Sequence, residues 1–593
     1  MNNFHPFVLP FTIGTVVLFI ILFALFVKWL LQMDKTQKTT ALKNIISFKT
    51  LKAVWEAVRE CLFHRNIFRT NPVLGYMHLS FAFGWFLLIV IGKIETTFYS
   101  GTFWDEFWLA IFFRFFEDTS VTFSGSELFT QLMDACLLFV LSGIVLAVIK
   151  RFYSKIYGMK KTTKHTIVDK IALTSLWCIF PLRLLAESAT AGIKHNGGFL
   201  TQSLGNLLVG LPLEHITLPL WWMYSIALCL FFLFMPFTRY MHIFTEMLLV
   251  FLRKWGVTEN NQKTGYTNIE LNACSRCGIC IDVCPLNTEA GINNVQSVYF
   301  IKNTRYGTLT KEIADNCLMC GRCVQACPVG IESTLIRQIM RKKECFNNKD
   351  YYQYIPDKEE KQISEEKEVI YFAGCMSHIT VSIPEAMKHI FAAANVKYWY
   401  MDENETICCG RPLMQQGLDK QAETLRQKNT EKILSSSIRT LVTSCPICYK
   451  SFTEEYHLPI EVLHHTQYID RLIRQGRIKV NRSDIKVTYH DPCELGRGCK
   501  IYEEPRHVLH AVAELMNVKM EKENSLCCGY NLANTQLELE DQMKIRNAAI
   551  NNLTAPKPDT VITSCPMCKR ALQHGINVNI KDIAEIVDEN IAK

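Results

Sequence analysis

From Cys274 to Pro328 the chain carries two versions of one pattern, CSRCGICIDVCP and CLMCGRCVQACP. Each is C-x2-C-x2-C-x3-C-P, a spacing that lets three thiolates of one tight turn grip a cubane 4Fe-4S cluster while the fourth reaches across to its twin. That rule assigns Cys274, Cys277, Cys280 and Cys327 to one cluster, and Cys317, Cys320, Cys323 and Cys284 to the other. A pair of zinc knuckles is the competing reading. Zinc sites stop at four ligands, whereas eight cysteines in two copies, each fourth one followed by proline, match the two-cluster ferredoxin spacing. A chain built around two such clusters is expected to move electrons one at a time.

The flanking segments differ in kind. With 593 residues there is room for three or four domains. The 49% hydrophobic content is unevenly spread: residues 1 to 255 hold long apolar runs, and the remainder alternates as a soluble domain does. Most of the 24 cysteines sit in metal-ligand spacings that need free thiolates, which places the cysteine-rich part in a reducing compartment. The formal charge of +8 comes largely from loops beside the apolar runs. No basic stripe with interleaved aromatics occurs in the soluble half, so nucleic acid is not an expected partner.

Five apolar spans are readable, Phe7 to Leu31, Val73 to Gly92, Leu132 to Ile149, Ile167 to Ala186 and Leu218 to Phe237. Each approaches the roughly twenty residues that cross a bilayer core as a helix. The first lacks a basic leader and a small-residue cleavage site, and is expected to remain as an anchor. Lys35, Lys38, Lys43, Lys49, Lys52, Arg59, Arg65 and Arg69 follow span one, and Lys150, Arg151, Lys155, Lys160, Lys161 and Lys164 follow span three. Between spans two and three the balance is acidic, with Asp105, Glu106, Glu117, Asp118 and Glu127. The positive-inside rule then puts the N-terminus outside and everything after Lys254 in the cytoplasm. The expected location is a multi-pass protein of a bacterial-type inner (cytoplasmic) membrane. Phe103 to Phe116 reads as an interfacial helix on the outer surface.

His78, near the cytoplasmic end of span two, and His242, beyond Pro236 at the end of span five, lie at similar depth, as two axial ligands of one haem must. Taken singly, each reads better as an interfacial histidine bonded to water or lipid. The runs RTNPVLGYMH and MPFTRYMHIF resemble the cytochrome b subunit of respiratory nitrate reductases and of the membrane-bound heterodisulfide reductase family. The resemblance implies that His78 and His242 bind haem b. Relatives commonly carry another histidine early in span five; Tyr224 stands there, so one haem b near the cytoplasmic face is expected. His195 and His215 read as solvated loop residues. Arg183 and Glu187 close span four, and Lys93 and Glu95 close span two; ionisable groups at such depth are functional candidates, with a proton or quinone role open for Glu187.

Residues 256 to 270 and 341 to 367, the latter punctuated by Pro356, read as linkers. Beyond them the chain repeats itself. Cys375, Cys408, Cys409, Cys445 and Cys448 recur as Cys493, Cys527, Cys528, Cys565 and Cys568, shifted by 118 to 120 residues. Glu368 to Ala373, Ile485 to Tyr489, Thr440 to Thr443 and Thr560 to Thr563 are strand-like, while Ile383 to Ala394 and Pro505 to Met516 have helical spacing. Each copy is thus an α/β unit whose cysteines gather at strand ends. Gly410 and Gly529 are expected to allow close backbone approach to a cluster.

YFAGCM, ICCGRP, TSCPIC, YHDPCELGRG, LCCGYN and TSCPMC resemble the CCG cysteine-rich domain, present twice in the catalytic subunit of heterodisulfide reductase and in related subunits for glycolate, lactate, glycerol 3-phosphate and electron-transfer flavoprotein oxidation. The resemblance implies a non-cubane 4Fe-4S cluster in each five-cysteine set, with the Cys493 set expected as the terminal, catalytic one. Of the other six cysteines, Cys136, Cys178 and Cys229 lie in spans, and Cys61, Cys345 and Cys499 are cytoplasmic; Cys499 is a minor ligand candidate. His490 and Asp491 could relay protons, although packing explains them as well.

The expected architecture is multidomain: an all-α five-helix transmembrane cytochrome b-like bundle (1–255), an α-helical ferredoxin-type module (256–345) and two α/β CCG cysteine-rich repeats (368–475 and 485–593). The resemblance implies a membrane-anchored oxidoreductase linking a menaquinone-type pool, through haem b, two cubane and two non-cubane clusters, to a soluble flavoprotein such as electron-transfer flavoprotein. Reduction of a disulfide or heterodisulfide at the CCG clusters, and a non-catalytic membrane docking subunit for a separate dehydrogenase, are the alternatives. No nucleotide-binding glycine fingerprint occurs, so neither flavin nor NAD is expected in this chain.

Overall fold

The computed structural model describes residues 4–121, 123, 125–153, 165–260, 262–344, 367–403, 407–532, 534, 536–574 and 578–592. Lys155 to Lys164 of the expected basic loop, Cys345, and most of the 341–367 linker with Pro356 lie outside the described residues. The chain forms two compact units, Met1–Gly278 and Ile279–Lys593.

Among the described residues four helices, all in the first unit, are long and apolar enough to cross a membrane: Val8–Gln32, Pro72–Ser100, Ser126–Phe152 and Leu213–Phe237. Asn71 caps the second by accepting from the Leu74 amide, and Pro72 fits its first turn because no amide is needed there. The remaining expected span is also helical, Ile167–Lys194, but it buries Asp169, Arg183 and Glu187 and so falls outside that apolar set. A helix does form at Leu109–Phe116, shorter than expected and not lying on a surface. Phe112 is fully buried, its ring 5.3 Å from Phe7 and 5.6 Å from Tyr224. The second half of the aromatic run fills the bundle end, while Phe103, Trp104 and Phe107 are exposed.

The unit continues past the expected linker. Helix Gly265–Asn272 packs on Val8–Gln32 and on His242–Lys254. After it Arg276, in the left-handed region at φ 56°, sends a buried bidentate ion pair to Asp169 at 2.5 and 2.9 Å. Asp169 also accepts from the Arg239 amide at 3.2 Å and closes the capping box with Thr166. One carboxylate thereby fixes three segments far apart in sequence.

The second unit opens with short helices, among them Ser297–Tyr306 and Ser333–Glu344. Two four-stranded parallel sheets follow. The first comprises β1 (Val369–Phe372), β2 (Tyr398–Tyr400), β3 (Thr440–Thr443) and β4 (Glu461–His464), in the order β2-β1-β3-β4. The second comprises β5 (Lys486–His490), β6 (Glu514–Met516), β7 (Thr560–Thr563) and β8 (Asn579–Asp582), in the order β6-β5-β7-β8. The sheets share one apolar core in which Tyr371, Ile390 and Phe391 meet Val487, Val508 and Val587. Burial on both faces explains why the strands read as continuous apolar runs. The helix expected over Pro505 to Met516 ends at Val512, and Glu514–Met516 turns into β6, paired with β5 from Lys486↔Glu514 to Thr488↔Met516. Strand pairing overrides the local helical spacing there.

Candidate functional site

Every described cysteine is a free thiol. Of the first predicted cubane set, Cys274 and Cys277 belong to the first unit, and Cys280 and Cys327 to the second. The second set converges fully: Cys284, Cys317, Cys320 and Cys323 line one cavity together with Arg322 and Arg337 and no acidic side chain. The Met319 amide donates to Cys317 Sγ at 3.3 Å, and Cys323 Sγ lies 3.3 Å from Ser333 Oγ. Burial, followed by the neighbouring thiols, pushes Cys284 well above the ordinary thiol range and Cys323 up to about 11. Such thiols ionise only where cations compensate them, as bound iron does. The donor set and its cationic wall therefore fit an anionic cluster. Among the described residues no group of three or more His, Cys, Asp or Glu side chains is arranged to hold a metal ion.

The five cysteines of each CCG repeat also gather. In the first, the thiols neighbour one another in the order Cys375–Cys408–Cys409–Cys448–Cys445. Cys408 is held down at about 3 by the Cys375 and Cys409 thiols that donate to it. In the second they run Cys527–Cys528–Cys568–Cys565, with Cys528 Sγ 3.5 Å from Cys568 Sγ and Cys493 within electrostatic reach of Cys527 and Cys528. The strands deliver them: Cys445 and Cys565 follow β3 and β7, and the next residues, Pro446 and Pro566, start helices. Ser444 and Ser564, one residue before, meet the hydroxyls of Tyr371 and Tyr489 at 2.8 and 2.6 Å, so the repeat extends beyond its cysteines.

Glycine matters here at a place the sequence reading missed. At Gly374, φ 86°, a Cβ would stand 3.0 Å from Cys448 Sγ and 3.4 Å from Cys445 Cβ. Gly410 and Gly529 also have positive φ, but the neighbours of a Cβ there are the Ala422 and Gln542 carbonyl oxygens, at 3.1 and 2.8 Å. A side chain at either would collide with a helix, while their backbones still approach the cysteines: the Gly410 amide donates to Cys408 Sγ at 3.3 Å.

The sets adjoin one another. Cys320 and Cys527 are in thiol contact, inside a buried cluster with Leu318, Leu537 and Ile545. Cys375 and Met376 pack with Cys528, Cys565 and Cys568. Cys499 stands apart, among Lys450, Glu494 and Glu454, and burial pushes its thiol up to about 12. His490 is buried against the Leu526 carbonyl, and burial lowers it to about 4; Asp491 is engaged by Arg506 at 2.7 and 2.9 Å.

In the first unit His78 lies within electrostatic reach of His242, and its ring stacks on a histidine the sequence reading did not single out, His64, at 5.5 Å and 19°. His64 has a left-handed φ of 54°, and its Nδ1 donates to the Leu62 carbonyl at 3.1 Å; His242 Nδ1 donates to the Arg239 carbonyl at 2.7 Å. Each bond orients its ring through Nδ1, the arrangement in which a neutral imidazole binds iron through Nε2. Further along the helices the buried ionisable groups are paired. Arg183 meets Glu187 at 2.9 Å, and Arg114 meets Glu95 at 2.6 Å and Glu117 at 2.9 Å. Lys93 lies over the Phe103 ring.

Comparison with known proteins agrees with the cysteine geometry. The cysteine-rich (CCG) domain matches residues 369–453 and 487–573, and the 4Fe-4S dicluster domain matches residues 270–331. The chain is thus an iron–sulfur oxidoreductase that joins a dicluster domain to two CCG domains. It is 26% identical over 337 residues to one of the subunits of the dihydromethanophenazine:CoB--CoM heterodisulfide reductase of Methanosarcina acetivorans, covering 54% of this chain and 77% of that one. It is 28% identical over 244 residues to the EtfAB:quinone oxidoreductase of Syntrophomonas wolfei, covering 37% and 34%. To the probable iron-sulfur-binding oxidoreductase FadF of Bacillus subtilis it is 26% identical over 351 residues, covering 55% and 47%. In particular, it is a heterodisulfide reductase-like iron–sulfur protein.

Proposed function

We propose that this protein is a membrane-anchored oxidoreductase connecting a menaquinone-type pool to a cytoplasmic two-electron partner, an electron-transfer flavoprotein. When bound, the haem b and the four 4Fe-4S clusters would supply one-electron relays. The observation that carries the reading is the thiol contact between Cys320 and Cys527, which joins the dicluster cysteines to a CCG set. His78 and His242, with His64 against His78, would hold the haem; the Nδ1 bonds that orient the His64 and His242 rings fit that role. Helix Ile167–Lys194 completes a five-span bundle, its charges neutralised by pairing. The Cys493 set, expected at the end of the path, is in sulfur contact with the dicluster set, so it is better placed as the entry to the CCG pair, and the Cys375 set follows it.

The similarity to EtfAB:quinone oxidoreductase supports the flavoprotein. A second reading, heterodisulfide reduction at the CCG sites, draws on the Methanosarcina heterodisulfide reductase chain, whose similarity extends over 77% of its length. Purified protein in detergent separates them. Haem reduced by a menaquinol analogue should reoxidise on adding electron-transfer flavoprotein and not on adding a disulfide alone. Reoxidation by disulfide alone would favour the second reading. No haem reduction by the quinol analogue would leave only membrane docking.

A further inference from the structure

The contact between Cys320 and Cys527 is flanked by arginines that lack carboxylates. Arg497 is buried; its Nε donates to the Cys320 carbonyl at 2.7 Å, and its Nη1 to the Ser525 carbonyl and hydroxyl at 2.9 and 2.8 Å and to the Glu523 carbonyl at 3.2 Å. Its Nη2 is buried with no partner. Its Cβ and Nε stand 3.8 and 4.0 Å from where a Cβ on Gly321 would lie, so the side chain runs along the cluster loop. Arg322, also buried, lines the cysteine cavity and lies within electrostatic reach of Arg497, Cys320, Cys527 and Cys284. Among the described residues neither arginine forms an ion pair with Asp or Glu. Of the nearby acids, Asp491 is engaged by Arg506, and Glu494 by Arg411 and Lys450.

Two like charges, buried and within reach of each other, are costly unless an anion compensates them. Carbonyl oxygens supply dipoles and not charge. The missing anions are the thiolate-bound clusters that the two cysteine sets would hold, Arg497 being within electrostatic reach of Cys320 in one and Cys493 in the other. We propose that Arg497 is the shared counter-cation of the second cubane and the adjoining CCG cluster, a positioning residue that raises the reduction potential of both and so favours electrons at this junction. A fixed positive charge stabilises the more negative, reduced form of each cluster, and a low-dielectric interior screens it weakly. The inference rests on the cluster reading of these cysteines and not on the quinone or flavoprotein assignment.

The test uses the full-length protein in detergent, with iron and acid-labile sulfide counted first and EPR-monitored redox titration second. In Arg497→Gln with wild-type iron content, the reduced-to-oxidised ratio of both clusters at fixed potential should fall at least tenfold, a shift of about 59 mV for one electron. Arg497→Lys, which keeps the charge, should hold both potentials close to wild type. Arg322→Gln should shift the cubane in the same direction. Unmoved potentials in Arg497→Gln, or equal shifts in the Gln and Lys variants, would overturn the proposal. If neither Arg497 variant assembles clusters while Arg322→Gln does with unmoved potentials, Arg497 is a folding residue and the proposal fails. Wild-type protein lacking the cluster irons would instead defeat the cluster reading itself.

Discussion

Replacing Asp169 with alanine should destabilise the first unit more than its single position suggests. The carboxylate accepts two bonds from Arg276, one from the Arg239 amide and two from Thr166, and it is 1% exposed. Removing it leaves the Arg276 guanidinium, 5% exposed, without its counter-charge. Breaking a buried pair from one side costs about 3–5 kcal/mol, and losing the capping box adds about 1 kcal/mol. Most of the cost comes from the orphaned charge, so Asp169→Leu combined with Arg276→Met should recover most of it. Thermal unfolding of the purified protein in detergent, followed by tryptophan fluorescence, gives the measurement. For a unit of this size the single variant should lose roughly 5–15 °C. A single variant that melts with the wild type, or a double variant that melts no higher than the single, would refute the assignment of Asp169 as the clamp.

Two further outcomes follow from the second unit. Gly374→Ala puts a Cβ 3.0 Å from Cys448 Sγ at a φ of 86°, adding about 1–2 kcal/mol of backbone strain to about 1–3 kcal/mol of overpacking. It should lose the iron of the first CCG set alone, read by iron and sulfide analysis, whereas Gly101→Ala, where no atom lies within 4 Å, should keep it. His378 sits 3.2 Å from Asp402, whose carboxylate also receives the Ala373 and Gly374 amides, and that hydrogen bond raises the histidine above its ordinary value. A raised folded-state value means the pair stabilises fully below the unfolded pKa of about 6.5 and loses that contribution as pH climbs through the higher folded value. Melting curves at either side of that window should show a decrement in the wild type that His378→Gln lacks.

Much of the second unit was legible because its chemistry is local. Thiolates spaced for a cluster must recur at fixed offsets, so Cys284, Cys317, Cys320 and Cys323 announced themselves and then converged on one cavity. The repeat offset paired the CCG cysteines before any fold was known, and the strands preceding Cys445 and Cys565 followed from their β-branched runs. Apolar length likewise marked the membrane-length helices, while the charges of Ile167–Lys194 set it apart from the four apolar ones.

Tertiary structure decided what depends on distance across the chain. Nothing in the sequence sets Arg497 beside Cys320, separated by 177 positions, or Asp169 beside Arg276, separated by 107. Period and spacing report which face of its own element a residue occupies, and packing alone determines which other element covers that face. His64 escaped notice for the same reason: its partner His78 is met through a left-handed turn, not a helical interval. The amino-acid order alone specified which thiols can carry iron; the folded chain specified which cations and which neighbouring sulfurs each set must live with, because electrostatic energy depends on separation in space and not along the backbone.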